Sequence, residues 1–180
     1  MYKIIALIGE AGVGKDTILR KVIERNPKLH KIISCTTRPK RQNEREGVDY
    51  FYLTNTEFGI KVINGEMFEA TCFNDWFYGT SVQSLNKNTI NIGVFNPDGI
   101  DALMSNPEVE LTVYRIIATD KNRFLRQLNR EENPNVKEII RRYSADNEDF
   151  CYLDFPYIAL NNNTKNDLIK AVEIITKELY

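Results

Sequence analysis

Histidine is almost missing from this sequence. His30 is the only one, so a histidine-based metal cluster, or a Ser-His-Asp triad centred elsewhere, is hard to build; a surface position near a helix end is expected for it. Cysteine is scarce as well. Cys35, Cys72 and Cys151 are odd in number and far apart, so neither a disulfide framework nor a metal-type Cys pair is visible. Three reduced, mostly buried thiols of a cytosolic protein are expected. No run approaches the roughly 20 apolar residues of a membrane span. The short apolar stretch in Met1–Gly9 leads straight into a glycine loop and is not read as a signal peptide. Nor does one charge dominate: Lys plus Arg number 24 against 25 Asp plus Glu, a formal net charge of −1. No whole-protein field therefore gathers nucleic acid or an anionic membrane, and any basic site must be local. A cytoplasmic protein, monomeric or weakly dimeric, with neither nucleic acid nor membrane as a partner, is the expectation.

What is present has a clear order. The 180 residues suffice for one domain with a sizeable core and a small inserted subdomain. Ile4–Ile8 is a short continuous apolar run, as in a strand buried on both faces. Beyond the glycines, Ile18, Leu19, Val22 and Ile23 recur at helical spacing until Asn26-Pro27. Lys31–Thr37 and Tyr50–Leu53 are expected as short strands, Thr56 to Ile63 as a helix, and Met67–Phe73 and Trp76–Tyr78 as extended. This cluster suggests an inserted subdomain over about residues 32–83. Thr89–Phe95, Leu111–Ala118 and Tyr157–Leu160 are further strands. Lys121 to Arg130, Val136 to Asp149 and Asp167 to Leu179 are expected helices. Strands alternating with helices point to an α/β fold with a mostly parallel sheet flanked by helices.

Gly9-Glu10-Ala11-Gly12-Val13-Gly14-Lys15 has the spacing G-x-x-x-x-G-K between that first strand and helix. Glycines let the backbone curl so that several N–H groups face one phosphate, the helix adds its positive end, and Lys15 reaches the outer phosphates. Next comes Asp16, with Thr17 behind it, where Ser or Thr normally supplies a magnesium-binding hydroxyl. The nucleotide site tolerates this change; the metal site has to be rethought.

The stretch that follows carries a second pattern. Ser34-Cys35-Thr36-Thr37-Arg38-Pro39-Lys40-Arg41 precedes Glu44 and Gly47-Val48-Asp49-Tyr50-Phe51; then come Gly65-Glu66-Met67-Phe68-Glu69 and Trp76-Phe77-Tyr78-Gly79-Thr80. Taken singly, Arg38 to Arg45 would read as a solvated charged loop, Tyr50 and Tyr78 as strand-packing aromatics, and Glu69 as an exposed strand carboxylate. In order and spacing together they resemble the guanylate kinase family, most closely over residues 9–80. The resemblance implies a P-loop kinase fold with an NMP-binding insert and a helical lid over about residues 121–142, the core being about 1–31, 84–120 and 143–180. It implies that Arg38, Arg41, Tyr50 and Tyr78 hold the GMP phosphate as donors, with Glu44 orienting an arginine or the acceptor end. It implies that Glu69, Ser34 and Thr80 read guanine, whose N1–H and exocyclic amine one carboxylate accepts side by side.

The same resemblance implies an arginine set in the lid. Arg126 and Arg130 lie four apart on one helical face, and Arg142 follows the Asn133-Pro134 break. Positioned positive charge is most of what phosphoryl transfer asks of a protein; the competing reading is a basic helix surface paired with Glu131, Glu132 and Glu138. The family's D-x-D strand end departs here. Gly93-Val94-Phe95-Asn96-Pro97-Asp98 puts Val94 and Asn96 at the carboxylate positions. The expected activity is ATP-dependent phosphorylation of GMP with Mg²⁺; a kinase of dGMP or several dNMPs, and a non-catalytic scaffold of the same build, are the rivals. Asp16, helped by Thr17 and Asn96, is expected to replace the missing metal-anchoring charge, the alternative being a helix cap.

Overall fold

The computed structural model describes residues 1–73, 75–130 and 132–177. The chain runs β1 (Tyr2–Ile8), α1 (Lys15–Arg25), β2 (His30–Lys31), β3 (Cys35–Thr36), β4 (Phe51–Tyr52), α2 (Asn55–Ile63), β5 (Met67–Phe73), β6 (Trp76–Ser81), β7 (Ile90–Val94), α3 (Pro97–Met104), β8 (Val109–Ile117), α4 (Asp120–Leu128), α5 (Val136–Asp149), β9 (Ile158–Asn161) and α6 (Lys165–Lys177). One sheet has the order β2-β7-β1-β8-β9, with β2 parallel to β7 and β8 parallel to β9. The central place of β1 follows from its sequence: a strand with no polar face is stable only when both faces are covered, and Ile4 to Ile8 are all buried. The expected α/β class with a parallel sheet is the one found.

The chain divides into two compact units, residues 1–5 with 28–111 and residues 6–27 with 112–180. In the second, α1 buries Ile18, Leu19 and Val22 and packs on α6, which buries Ala171, Val172 and Ile175. Each of these isoleucine, leucine and valine side chains contributes about 1.5–3 kcal/mol when fully buried. α1 stops at Asn26, whose N–H still bonds the Val22 carbonyl, because Pro27 cannot continue the ladder. α4 packs on α5, with Phe124 and Tyr143 ring centroids 4.6 Å apart.

The first unit holds a four-stranded sheet in the order β4-β3-β6-β5. α2 starts with a full capping box, Thr54 with Glu57, and packs against β5. α3 also packs against β5. The register pairs Glu69 with Thr80, Thr71 with Tyr78, and Thr36 with both Tyr78 and Tyr52. Directly opposed residues share a face, so one face of this sheet gathers acidic, hydroxyl and phenol groups.

Four expectations change. Lys31–Thr37 is not one strand: His30–Lys31 pairs with β7, while Cys35–Thr36 pairs with β4 and β6 in the other sheet. A short run of strand-forming residues does not reveal a change of partner within it. α3 is not among the expected helices; Pro97 opens it and Asn96 caps it. Cys72 and Cys151 are exposed and only Cys35 is buried, although all are free; Cys72 takes the outward position of a half-buried strand. His30 lies in β2, not at a helix end, and its Nε2 is 3.0 Å from the Ser84 carbonyl oxygen. Leu179, the expected end of the last helix, lies outside the described residues, as does Glu131.

Candidate active site

The loop between β1 and α1 has the curled backbone that its glycines allow. Gly12 and Gly14 adopt φ of 83° and 96°, which other residues enter only with strain. They are also closely enclosed: a Cβ on Gly12 would lie 2.6 Å from the Arg123 carbonyl oxygen, and one on Gly14 would lie 2.5 Å from Asn162 Nδ2. Gly14 is the N-cap of α1 and offers no side-chain cap, so the first N–H groups of that helix keep their anion-binding capacity. Lys15 folds back so that Nζ donates to the carbonyls of Gly9 at 2.5 Å and Glu10 at 3.1 Å. Burial pushes its pKa down, against Asp16, Asp146 and Glu10, which favour the charge. Val13 is buried and its carbonyl accepts from Asn162 Nδ2 at 2.7 Å. The Glu10 side chain is committed to Arg115 at 3.1 Å, and the Ala11 N–H to Asp146 at 2.7 Å. Asp16 lies exposed in the first turn of α1, beside Thr17, and it is not the cap of that helix.

In the other unit, Arg38 is buried, 7% exposed, with Nη2 at 2.9 and 3.0 Å from the two Glu44 oxygens. Glu44 also accepts from the Arg41 N–H at 2.9 Å and the Tyr52 hydroxyl at 2.8 Å. Burial pushes Glu44 up, but the Arg41 N–H, Arg38 and Tyr52 outweigh it and its pKa is lowered. The Arg38 guanidinium stands 5.5 Å from the Tyr50 ring centroid, and Tyr50 meets Tyr78 edge to face at 6.2 Å. Arg38, Arg41, Glu44, Tyr50 and Tyr78 are thus brought together, and Tyr52 joins them without having been foreseen.

Glu69 is 9% exposed, and burial lifts its pKa to about 7 against the opposing pull of the Thr80 hydroxyl and N–H. Thr80 Oγ1 is itself fully buried and makes no hydrogen bond of standard geometry. Asn96 Oδ1 accepts from the Gly99 N–H at 2.8 Å, and Asn96 Nδ2 is 3.0 Å from Thr71 Oγ1. A Cβ on Gly99 would lie 2.8 Å from Asn96 Oδ1 and 3.8 Å from Glu69 Oε2, so Glu69 and Asn96 converge on that glycine. Asp98 sits exposed in the first turn of α3. Ser34 is half-buried just before β3, its carbonyl bonded to the Phe51 N–H.

The arginines of the two adjacent helices differ in their engagement. Arg126 Nη1 donates to the carbonyls of Gly12 at 3.3 Å and Val13 at 3.1 Å, while Nη2 donates to Asn162 at 2.5 Å. Arg130 is exposed just beyond α4. Arg142 Nε is 2.7 Å from Glu138 Oε1, and Arg141 holds the same carboxylate at 2.8 Å. The Arg141 and Arg142 guanidiniums bring the Glu138 pKa down to about 2. The salt-bridged surface that competed with the lid reading is therefore present for Arg142.

Two buried charges in this region had no sequence signal of their own. Arg123 and Asp146 are each 3% exposed and pair at 2.9 Å. In a helix of alternating charge, the one carboxylate that turns inward is not distinguishable by spacing.

The family model described as Guanylate kinase matches residues 1–178. The guanylate kinase of Thermotoga maritima is 31% identical over 181 aligned residues, covering 98% of this chain and 87% of that one. The guanylate kinase of Malacoplasma penetrans is 30% identical, covering 98% and 94%. Among solved structures, the crystal structure of guanylate kinase from Anaplasma phagocytophilum is similar in fold, with a TM-score of 0.72 at 21% identity, covering 99% of this chain and 84% of that chain.

Proposed function

The chain belongs to the guanylate kinase family, and from that premise we propose how its residues share the transfer of a phosphoryl group from ATP to GMP. The enzyme is a nucleoside monophosphate kinase, and its reaction is ATP + GMP giving ADP + GDP. The observation that carries the assignment of roles is the Gly9–Lys15 loop, set before a helix without a side-chain cap and with Lys15 folded onto it.

ATP phosphates rest on the loop N–H groups and the first turn of α1, from Gly9 to Thr17, with Lys15 turning from the Gly9 and Glu10 carbonyls to the outer phosphates. Arg126 fixes the loop carbonyls beneath them. Arg130 and Arg142 neutralise charge on the group in transfer, Arg142 exchanging Glu138 for phosphate. On the acceptor side, Arg38, Arg41, Tyr50 and Tyr78 hold the GMP phosphate, with Glu44 orienting Arg38. Glu69, Ser34, Thr80 and Asn96 face the base. The phosphate oxygen of GMP is itself the nucleophile. The lid spans about residues 121–142 and the acceptor insert about residues 32–83.

Mg²⁺ fits the donor set at the loop. Asp16 is an exposed carboxylate next to the Thr17 hydroxyl, and both are hard oxygen ligands of the kind the ion prefers. Among the described residues no group of three His, Cys, Asp or Glu is placed to hold a metal, as suits an ion that takes most of its ligands from phosphate and water. When bound, the ion supplies charge neutralisation at the phosphates. Among the described residues no helix is long and apolar enough to cross a membrane; we place the enzyme in the cytoplasm, as a monomer or weak homodimer acting on free nucleotides.

The test is coupled measurement of ADP formation across GMP, dGMP and AMP at millimolar Mg²⁺. GMP stimulates turnover and Lys15→Ala abolishes it while the protein stays folded. dGMP is included because an amide, Asn96, occupies the strand-end position. A folded protein with no turnover on any monophosphate would turn the reading to a binding module.

A further inference from the structure

We propose that Arg123 and Asp146 are positioning residues of the ATP site, clamping the Ala11 peptide so that the phosphate loop keeps its binding shape. Asp146 Oδ2 accepts from the Ala11 N–H at 2.7 Å. Arg123 Nε donates to the Ala11 carbonyl at 3.1 Å. The two side chains close the ring, with Arg123 Nη2 2.9 Å from the same Asp146 oxygen. Both polar groups of one loop residue are thus held by a single ion pair, one partner on α4 and the other on α5. The inference rests on the reading of Gly9–Lys15 as the ATP phosphate loop.

The energetics argue for position over stability. Each side chain of the pair is 4% exposed. Taking two charges out of water costs several kcal/mol per ion, and apolar replacement of such pairs is often neutral or stabilising. A pair of this kind is explained by the geometry it fixes. Further contacts hold Arg123 in one place: Asp120 at 3.3 Å and the Tyr143 ring, 5.0 Å from the guanidinium to the centroid. The α4 backbone is pressed against the loop at the same point, since the Arg123 carbonyl is what a Cβ on Gly12 would strike. The Glu10 side chain is anchored by Arg115 on β8, which also donates to Tyr157 Oη at 3.2 Å. Successive loop residues, Glu10 and Ala11, are therefore tied down from outside the loop. Ala11 spends its N–H on Asp146 and serves the curvature that turns the following N–H groups inward. Because α4 and α5 also carry Arg126 and Arg142, the clamp links the loop to the helices of the phosphate-neutralising arginines.

The experiment uses the full chain and compares wild type, the double variant Arg123→Leu/Asp146→Ala, the single variant Asp146→Asn, and Lys15→Ala. Measured are the melting temperature, the calorimetric affinity for a non-hydrolysable ATP analogue, and KM for ATP and for GMP. The double variant removes both charges and leaves neither unpaired. It is expected to fold, and to lose about tenfold or more in analogue affinity and KM for ATP, with KM for GMP within twofold. A purely structural pair would lower the melting temperature and leave the ATP constants of the folded protein unmoved. If the double variant does not fold, Asp146→Asn decides. Its one oxygen can take the place of the Asp146 oxygen that both the Ala11 N–H and Arg123 use, but without the charge both arms weaken, and a selective loss of ATP affinity is again expected. A folded clamp variant with wild-type ATP affinity, beside a Lys15→Ala that has lost it, overturns the clamp and spares the loop. A Lys15→Ala with undiminished analogue affinity overturns the loop reading and the clamp with it.

Discussion

Glu69 stands opposite Thr80 across the paired strands β5 and β6, a buried carboxylate beside a buried hydroxyl. Burial lifts the Glu69 pKa from its ordinary 4.5 to about 7, and this sets a pH dependence of stability with a definite sign. Below the unfolded value the group is protonated in both states. Between the two values the folded protein keeps the proton that the unfolded chain has lost, so stability falls as pH rises, and by pH 7 to 8 about 3 kcal/mol is lost. Glu69→Gln removes that slope. In urea melts of the ligand-free protein from about pH 5 to pH 8, the variant should gain on wild type at each step. Parallel curves would show that Glu69 does not titrate in this range.

GMP binding should pull the same equilibrium the other way. Guanine presents two donors, its N1–H and amine, which an ionised Glu69 accepts and a protonated one only partly satisfies. GMP affinity is therefore expected to rise with pH through about 7, where the Glu69 pKa lies, and isothermal titration at fixed ionic strength measures it.

Base preference follows from the same carboxylate. A site that pairs polar groups with its ligand rejects an analogue lacking them by about 10⁴-fold or more. Adenine would put a lone pair against Glu69 and has no amine beside it. Glu69→Gln should depress GMP turnover and narrow the ratio of kcat/KM between GMP and AMP. An unchanged ratio would remove Glu69 from base reading.

Glu138 holds Arg142 at 2.7 Å and remains ionised at any working pH, its pKa lying at about 2. Arg142 must leave it to reach a phosphate. The pair is half-buried and still solvent-accessible, and surface pairs contribute about 0.2–1 kcal/mol, so Glu138→Gln should lower KM for ATP by no more than about fivefold, an effect that fades in high salt. Arg142→Ala should cut kcat by about 10²-fold. Steady-state kinetics at two ionic strengths separate the two roles, and a wild-type kcat in Arg142→Ala would shift the lid role to Arg141.

The parts legible in the sequence were those whose chemistry is local. The glycine loop declared itself because a curled backbone needs glycine; the residues grouped about β5 and β6 were singled out only through the family resemblance, since each alone reads as an ordinary strand or loop residue. The helix Val136–Asp149 was bounded to the residue, since Asn135 supplies its cap. What stayed hidden depends on partners far along the chain. Asp146 reaches a loop residue 135 positions away, Tyr52 looks like any strand aromatic until Glu44 is seen beside it, and the break between β2 and β3 is a change of sheet within a few residues of chain. Asn96 stands out in the sequence for its missing charge, while in the structure its side chain caps α3.

Asp16 is where sequence and structure meet on a question of metal. The alternative to a metal role was a helix cap, and that place belongs to Gly14, which caps α1 with no side-chain bond. Asp16 instead lies exposed in the first turn, at the positive end of the helix, where its charge favours the protonated state of Lys15. A carboxylate there is stabilised by the helix dipole, yet it would repel ATP unless a cation stood between them. The strand end has no charge to offer, because Asn96 is a neutral amide, and its side chain is bonded to Gly99 and Thr71. Asp16→Asn removes the charge and keeps the size. The variant is expected to need several-fold more Mg²⁺ to reach half its maximal rate, while its affinity for metal-free ATP, measured in chelator, holds or improves because the repulsion has gone. Loss of fold would affect both quantities and the melting temperature alike; loss of a metal ligand moves them in opposite directions. A Mg²⁺ titration of Asp16→Asn that superimposes on wild type would refute the metal role.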